Sequence, residues 1–390
     1  MEYRLNEVFE FIRNGASIKQ FDTKFGYPIT RIETIANSYI DTNKMGYADI
    51  KELGKLEDYL LKNGDILMSH INSEKHLGKS AIYEDINKKI IHGMNLLCLR
   101  PDKEVCYPKY LNYFFNSNEF RRQLPRIIKK SVNQASFSVN DLKNLKVDLP
   151  EMEAQKDISK VLDKAQELID KRKEQIEVLD ELVKSRFIEM FGNFKEQKFV
   201  LLKDCTNFID YRGKTPILSE NGIRIINAKS VGNGVFKYIN EYISENTYNS
   251  WMKRGFPVAG DVLFVTEGHT FGNVCRIPKD LKKFAMGQRI ITIQGDKKIL
   301  NNAFLAQYMQ TKAFRVEIDK YKTGSSAQGI RSKELQKILI PVPSIELQNK
   351  FEEFVNQVDK LKVGIKTSLK ELEDNFNSLM QKAFKGELFN

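Results

Sequence analysis

Only four of 390 residues are cysteine (Cys98, Cys106, Cys205 and Cys275), and no two form a CxxC pair. That spacing offers neither a disulfide framework nor a cysteine-built zinc site, and fits reduced, packed thiols in a cytoplasmic protein. No run of 18 apolar residues occurs, so no membrane-spanning helix is expected. The N-terminal segment MEYRLNEVFEF is charged and lacks the apolar centre of a signal peptide. There are four histidines (His70, His76, His92 and His269), with no HExxH spacing. Gly78-Lys79-Ser80 has the tail of a phosphate-binding loop, but Ser73 stands where the opening glycine belongs. Gly232-Asn233-Gly234 is too short for a dinucleotide fingerprint. The Asn-Pro-Pro-aromatic tetrapeptide of amino-methylation is missing, and no acidic pair stands in a nuclease motif. No catalytic residue, metal ligand or bound cofactor is therefore assigned, and the chain reads as non-catalytic.

What the chain does have is itself, twice. Ile158, Leu162, Ala165, Ile169, Arg172, Ile176, Leu179, Val183, Arg186 and Met190 keep a 4-3-4-3 rhythm. Adding 193 to each number gives Phe351, Val355, Val358, Lys362, Ile365, Leu369, Leu372, Phe376, Leu379 and Ala383. Seventeen of these twenty positions are apolar, as a coiled-coil seam requires. The repeat continues upstream. Gly64-Asp65-Ile66-Leu67 matches Gly260-Asp261-Val262-Leu263, and Phe120-Arg121 matches Phe314-Arg315. Glu153 and Gln155 match Glu346 and Gln348. Pro150 and Pro343 precede the two seams, Ser344 is a candidate N-cap, and Gly192 and Gly386 fall where the helices should stop. A period this long means duplicated domains, two heads each followed by a seam helix. The divisions fall at 1–150, 151–192, 193–342 and 343–390.

Net charge is +11 and unevenly placed. Residues 151–192 carry −3 and residues 343–390 carry −1, which leaves +15 for the heads. A basic excess there favours a polyanionic partner, chiefly nucleic acid.

The heads read as mixed α/β. DILMSHI, KSAIYE and IIHGMNLLCLR, and in the second half IRIINAKSV, DVLFVTEG, NVCRIP and QRIITIQ, are strand-like runs. Helical stretches follow around 108–128 and 301–320. Two kinds of loop suit nucleic acid, because small, polar and basic groups approach phosphates and base edges. One runs from Ser69 to Lys79, with Lys75, His76 and Lys79 as candidates; its counterpart, from Glu267 to Asn273, offers His269, Thr270 and Asn273. The other kind holds Lys130 and Gln134 in the first head, and Ser325, Ser326 and Gln328 in the second. Each is equally readable as a plain polar turn. Arg121, Arg122 and Arg126 form either a phosphate-facing helix edge or a solvated face. Gln288-Arg289 opens a strand, with Arg289 either ion-paired or on DNA. Phe25, Tyr27 and Trp251 are expected in the core.

The ordered set GDILMS or GDVLFV, GQRIITI, FLAQYMQTKAFR, TGSSAQGIRSKEL and PVPSIELQ, followed by a heptad helix, resembles the specificity subunits of type I restriction-modification systems. The first half departs at His92-Gly93-Met94-Asn95, and at Leu149–Gln155, which lacks the second proline. The resemblance implies an α+β fold, with two target-recognition domains joined by two long antiparallel coiled-coil helices. It implies that each domain reads half of a split double-stranded DNA target. It implies two methyltransferase (M) subunits as partners, with restriction (R) subunits joining where present. S-adenosylmethionine, magnesium and ATP would all sit on those partners. A methylation-only system uses the same kind of subunit. A seam from Ile158 to Met190 covers 33 residues, roughly 50 Å at about 1.5 Å per residue. One DNA turn is about 34–36 Å.

Overall fold

The computed structural model describes all residues except 37, 85–86, 132–133, 195–196, 214, 325–327 and 390. They gather into two compact units, Met1–Lys173 with Thr367–Asn390, and Glu174–Lys366. Each unit is one head plus part of both long helices, so the compact division runs through the middle of each helix.

The first head is built on β1 (Phe9–Asn14), β2 (Ile66–Ser69), β3 (Ser80–Ile82) and β4 (Leu96–Pro101). They form an antiparallel sheet in the order β1-β4-β2-β3. The second head repeats it with β5 (Thr206–Asp210), β6 (Val262–Val265), β7 (Val274–Arg276) and β8 (Ile290–Gly295), in the order β5-β8-β6-β7. The central strands β2 and β6 are buried at every residue, which is why their sequences run apolar without alternation. In both heads an N-terminal strand pairs with the strand just before the long helix: Glu2–Arg4 with Lys146–Asp148, and Phe199–Leu201 with Leu339–Pro341.

Strands are shorter than the apolar runs suggest. The run DILMSHI breaks at His70, where the chain leaves the main sheet. Ile71–Asn72 then joins Ala135–Ser136 and Lys129–Lys130 in a separate three-stranded sheet. Strand β8 begins at Ile290, so Gln288 and Arg289 lie in the turn before it. The helical stretches each divide in two, Pro108–Asn116 from Asn118–Gln123, and Asn302–Tyr308 from Lys312–Asp319. The hydroxyls of Ser117 and Thr311 cap the second members, accepting from the amides of Phe120 and Phe314.

The long helices are α1 (Met152–Phe191) and α2 (Ile345–Phe384), 40 residues each. All twenty seam positions are buried or half-buried. Within the first unit, Ile158 and Leu162 share a core with Met380 and Ala383, and Lys173 meets Glu373 at 3.8 Å. Within the second, Phe187 packs on Phe351 with ring centres 5.4 Å apart, and Lys362 pairs with Asp180. Residue numbers fall on one helix as they rise on the other, so the pairing is antiparallel in each unit. Lys362 breaks the apolar rhythm, and Asp180 on the facing helix accounts for it.

The sequence rhythm missed two buried aromatics of α1. Phe187 and Phe191 lie one residue beside the seam positions and pack on Phe304 of the second head, at 5.5 and 4.8 Å. Their burial joins helix to head. All four cysteines are buried and free, and burial pushes the thiols of Cys106 and Cys275 up to about 12. Among the described residues, no helix is long and apolar enough to cross a membrane.

Candidate nucleic-acid interface

Each head brings its two candidate loops together at one end of its sheet. In the first head Ile71–Asn72, within the first loop, pairs with Ala135–Ser136, which in turn pairs with Lys129–Lys130. In the second, Gly268 donates to the Gln328 carbonyl at 3.0 Å, Ile330 to Thr266 at 2.9 Å, and Thr323 to Gly329 at 2.8 Å. Thr266 also donates to the Arg289 carbonyl at 2.9 Å. Arg289, His269 and Gln328 therefore emerge from adjoining backbone, although up to 59 positions separate them in sequence.

The first loop of each head is latched from beneath by the same residue. Arg121 donates to the Leu77 carbonyl at 2.5 Å, and Arg315 to the Phe271 carbonyl at 3.0 Å. The Arg121 guanidinium is thus part-buried and bonded to the loop backbone. Sequence gives a side chain's charge but not its direction. A glycine follows each latched carbonyl. Gly272 has φ +81°, and a Cβ there would lie 1.9 Å from Nη1 of Arg315; one on Gly78, at φ +68°, would lie 2.6 Å from Leu124.

The candidates divide by what they already hold. Lys75 is exposed, and Lys130 is exposed with one ion pair, 3.0 Å from Glu74. Gln134 is exposed, its carbonyl accepting from Ser131 at 2.8 Å. His76 is half-buried between the flanking lysines; partial burial, then Lys79 and Lys75, hold its pKa below the ordinary value. His269, Thr270 and Gln328 are exposed. Two candidates serve the fold. Lys79 donates to the Ala36 carbonyl at 2.8 Å, and Asn273 to the Val231 carbonyl at 3.2 Å. Arg289 is exposed, 3.3 Å from Glu267, and has φ +63°. A side chain held in the left-handed region is a marker of functional sites. Ser325 and Ser326 lie outside the described residues. Among the aromatics expected in the core, Phe25 is 53% exposed. Trp251 is half-buried and donates to the Met286 carbonyl at 2.7 Å.

At the far end of each central strand from the rim lies a buried aspartate, just before the first strand residue. Asp65 accepts from the Lys62 amide at 2.7 Å, and Asp261 from the Val258 amide at 2.8 Å. Asp65 is also gripped by Arg100 through two bonds of 2.8 and 2.7 Å. Asp261 meets neutral partners instead, Gln294 at 2.7 Å and Asn302 at 3.3 Å, and burial holds its carboxyl above the usual range. Buried glutamines tie the heads to the helices. Gln155 accepts from the Tyr107 amide, and Gln348 from the Asn301 amide, both at 2.8 Å. Among the described residues, no cluster of three metal-ligating side chains occurs.

Comparisons with known proteins agree with this architecture. The type I restriction modification DNA specificity domain matches residues 1–179 and again 195–373. A putative type I restriction enzyme MjaX specificity subunit from Methanocaldococcus jannaschii is 33% identical, over 94% of this chain and 88% of its own. The MjaVIII specificity subunit from the same organism is 24% identical, over 94% and 90%. The fold is like that of the type I S subunit from M. genitalium, with TM-score 0.54 and 15% identity over 98% of this chain and 96% of that one. The twofold domain match and the full-length relative have one meaning: this chain belongs to the type I restriction-modification DNA specificity family.

Proposed function

We propose that the chain selects a bipartite double-stranded DNA target, one half-site per head. It brings to that target the M subunits that methylate adenine and, where present, the R subunits that cleave. The observation that carries this reading is the duplicated rim, in which two polar loops meet at the same end of the same sheet in both heads. Basic and amide groups there suit phosphate and base edges. Candidate contacts are Lys75, His76, Lys130 and Gln134 in the first head, and His269, Thr270, Arg289 and Gln328 in the second. The chain contributes recognition. S-adenosylmethionine, magnesium and ATP belong to the partners, and docking uses the outer faces of α1 and α2, since their seams are occupied by pairing. The test is co-expression with the M subunit, followed by long-read mapping of methylated bases. A two-part motif with a fixed gap supports the reading, and a continuous motif or random methylation contradicts it.

A further inference from the structure

Four buried polar atoms among the described residues have no hydrogen-bonding partner, and two of them occupy the same place in the two heads. They are Nδ1 of His70 and Oγ1 of Thr266, on residues 6% and 1% exposed. His70 follows the last residue of β2, and Thr266 the last residue of β6. Each stands at the root of a rim loop. A buried polar group without a partner costs stability, so it persists where another role compensates.

The strand register shows what lies opposite. The register ends with Ser69 facing Leu96, and the residues that follow at the rim are His70 on one side and Asn95 on the other. Val265 faces Ile290, so the next pair is Thr266 and Arg289, joined by the 2.9 Å bond already described. Asn95, like Arg289, is exposed at the rim. Each head therefore carries, just past the end of the same two strands, one buried polar group without a partner and one exposed polar residue. The frame is shared and the identities differ, His-Asn in one head and Thr-Arg in the other. This is what two heads reading different sequences from one frame require.

We propose that Asn95 and Arg289 are specificity-determining residues that contact base edges in the major groove. We also propose that His70 and Thr266 are positioning residues, whose free hydrogen-bonding atoms hold those side chains once DNA is bound. The proposal rests on the bipartite reading above. The chemistry fits: an amide pairs with adenine, a guanidinium fork with guanine, and a hydroxyl or a neutral imidazole can accept from either. Burial lowers the pKa of His70, which favours the neutral ring. The left-handed backbone of Arg289 is then a strain held for a purpose.

The test uses the full chain assembled with its M subunits. Thr266→Val keeps the shape and removes only the hydroxyl. Methylation rates are read on duplexes varied at each base pair of the target, with thermal melting in parallel. Melting should hold or rise, since an unpartnered hydroxyl is removed; discrimination at one base pair of the second half-site should fall about tenfold, and Thr266→Ser should restore it. Arg289→Ala should lose the same base pair, and Asn95→Ala one in the first half-site. The proposal is overturned by an early-melting valine variant, by unchanged discrimination, or by Thr266 and Arg289 variants acting at different base pairs. If the parent complex has no bipartite target, the functional reading fails first and this proposal falls with it.

Discussion

The two heads share a frame and differ in how they stabilise it. Sheet order, the arginine latch, the glutamine tie and the buried aspartate recur in each. The aspartate's partner does not: Asp65 meets a guanidinium, whereas Asp261 meets two amides. One frame thus tolerates a buried ion pair or a buried neutral network at the same point. What must be kept is the satisfied carboxylate; the charge of its partner is free to drift. The rims drift in the same way, which is how a duplicated domain can acquire two targets.

This contrast predicts unequal responses to one substitution. Asp65→Asn strands Arg100, which is 13% exposed, and should destabilise the first head by about 3–5 kcal/mol. Asp261→Asn keeps most of its bonds and should cost the second head under about 1 kcal/mol. Urea unfolding of each variant distinguishes the two, and equal losses would break the comparison. The pH response should differ as well. The raised Asp261 carboxyl keeps its proton longer in the folded state than in the unfolded one. Its contribution to stability is therefore greatest at acid pH and declines as pH rises through that raised value. Asp261→Asn should remove this slope from the second head's stability-pH curve.

Smaller and more even effects are expected where the heads agree. Gln155→Ala and Gln348→Ala each leave a helix-start amide without its acceptor, and should each cost about 1–3 kcal/mol. A large difference between them in thermal or urea unfolding would show that the repeat is not energetically symmetric. Among the rim lysines, Lys75→Ala and Lys130→Ala should weaken binding to all DNA sequences alike. Each should reduce the salt slope by about one. Lys79→Ala should change the slope less, because its ammonium is bonded to the Ala36 carbonyl. Binding titrations across a salt series measure all three.

Much of this was legible in the sequence because it was written twice. The seam could be read because heptad spacing is periodic, and all twenty positions are at least half-buried. Phe187 and Phe191 were missed because they face a head, and a contact with a globular surface carries no period. The rim loops were legible as matched polar segments. Their pairing was not, since strands of two residues are too short to leave a pattern. Arg121 was noticed for its charge, yet its direction is set by the Leu77 carbonyl, which sequence does not locate. His70 and Thr266 escaped for the opposite reason: a repeat reveals what the halves share, and these two residues differ.

The central claim is that each head reads its own half of the target. Its most direct test is to replace residues 200–342 with the same region of a relative that reads another sequence, and then to map methylated bases after co-expression with the M subunit. The account predicts that one half of the motif changes while the other half and the gap between them stay fixed. A change in both halves, or in the gap, would contradict it.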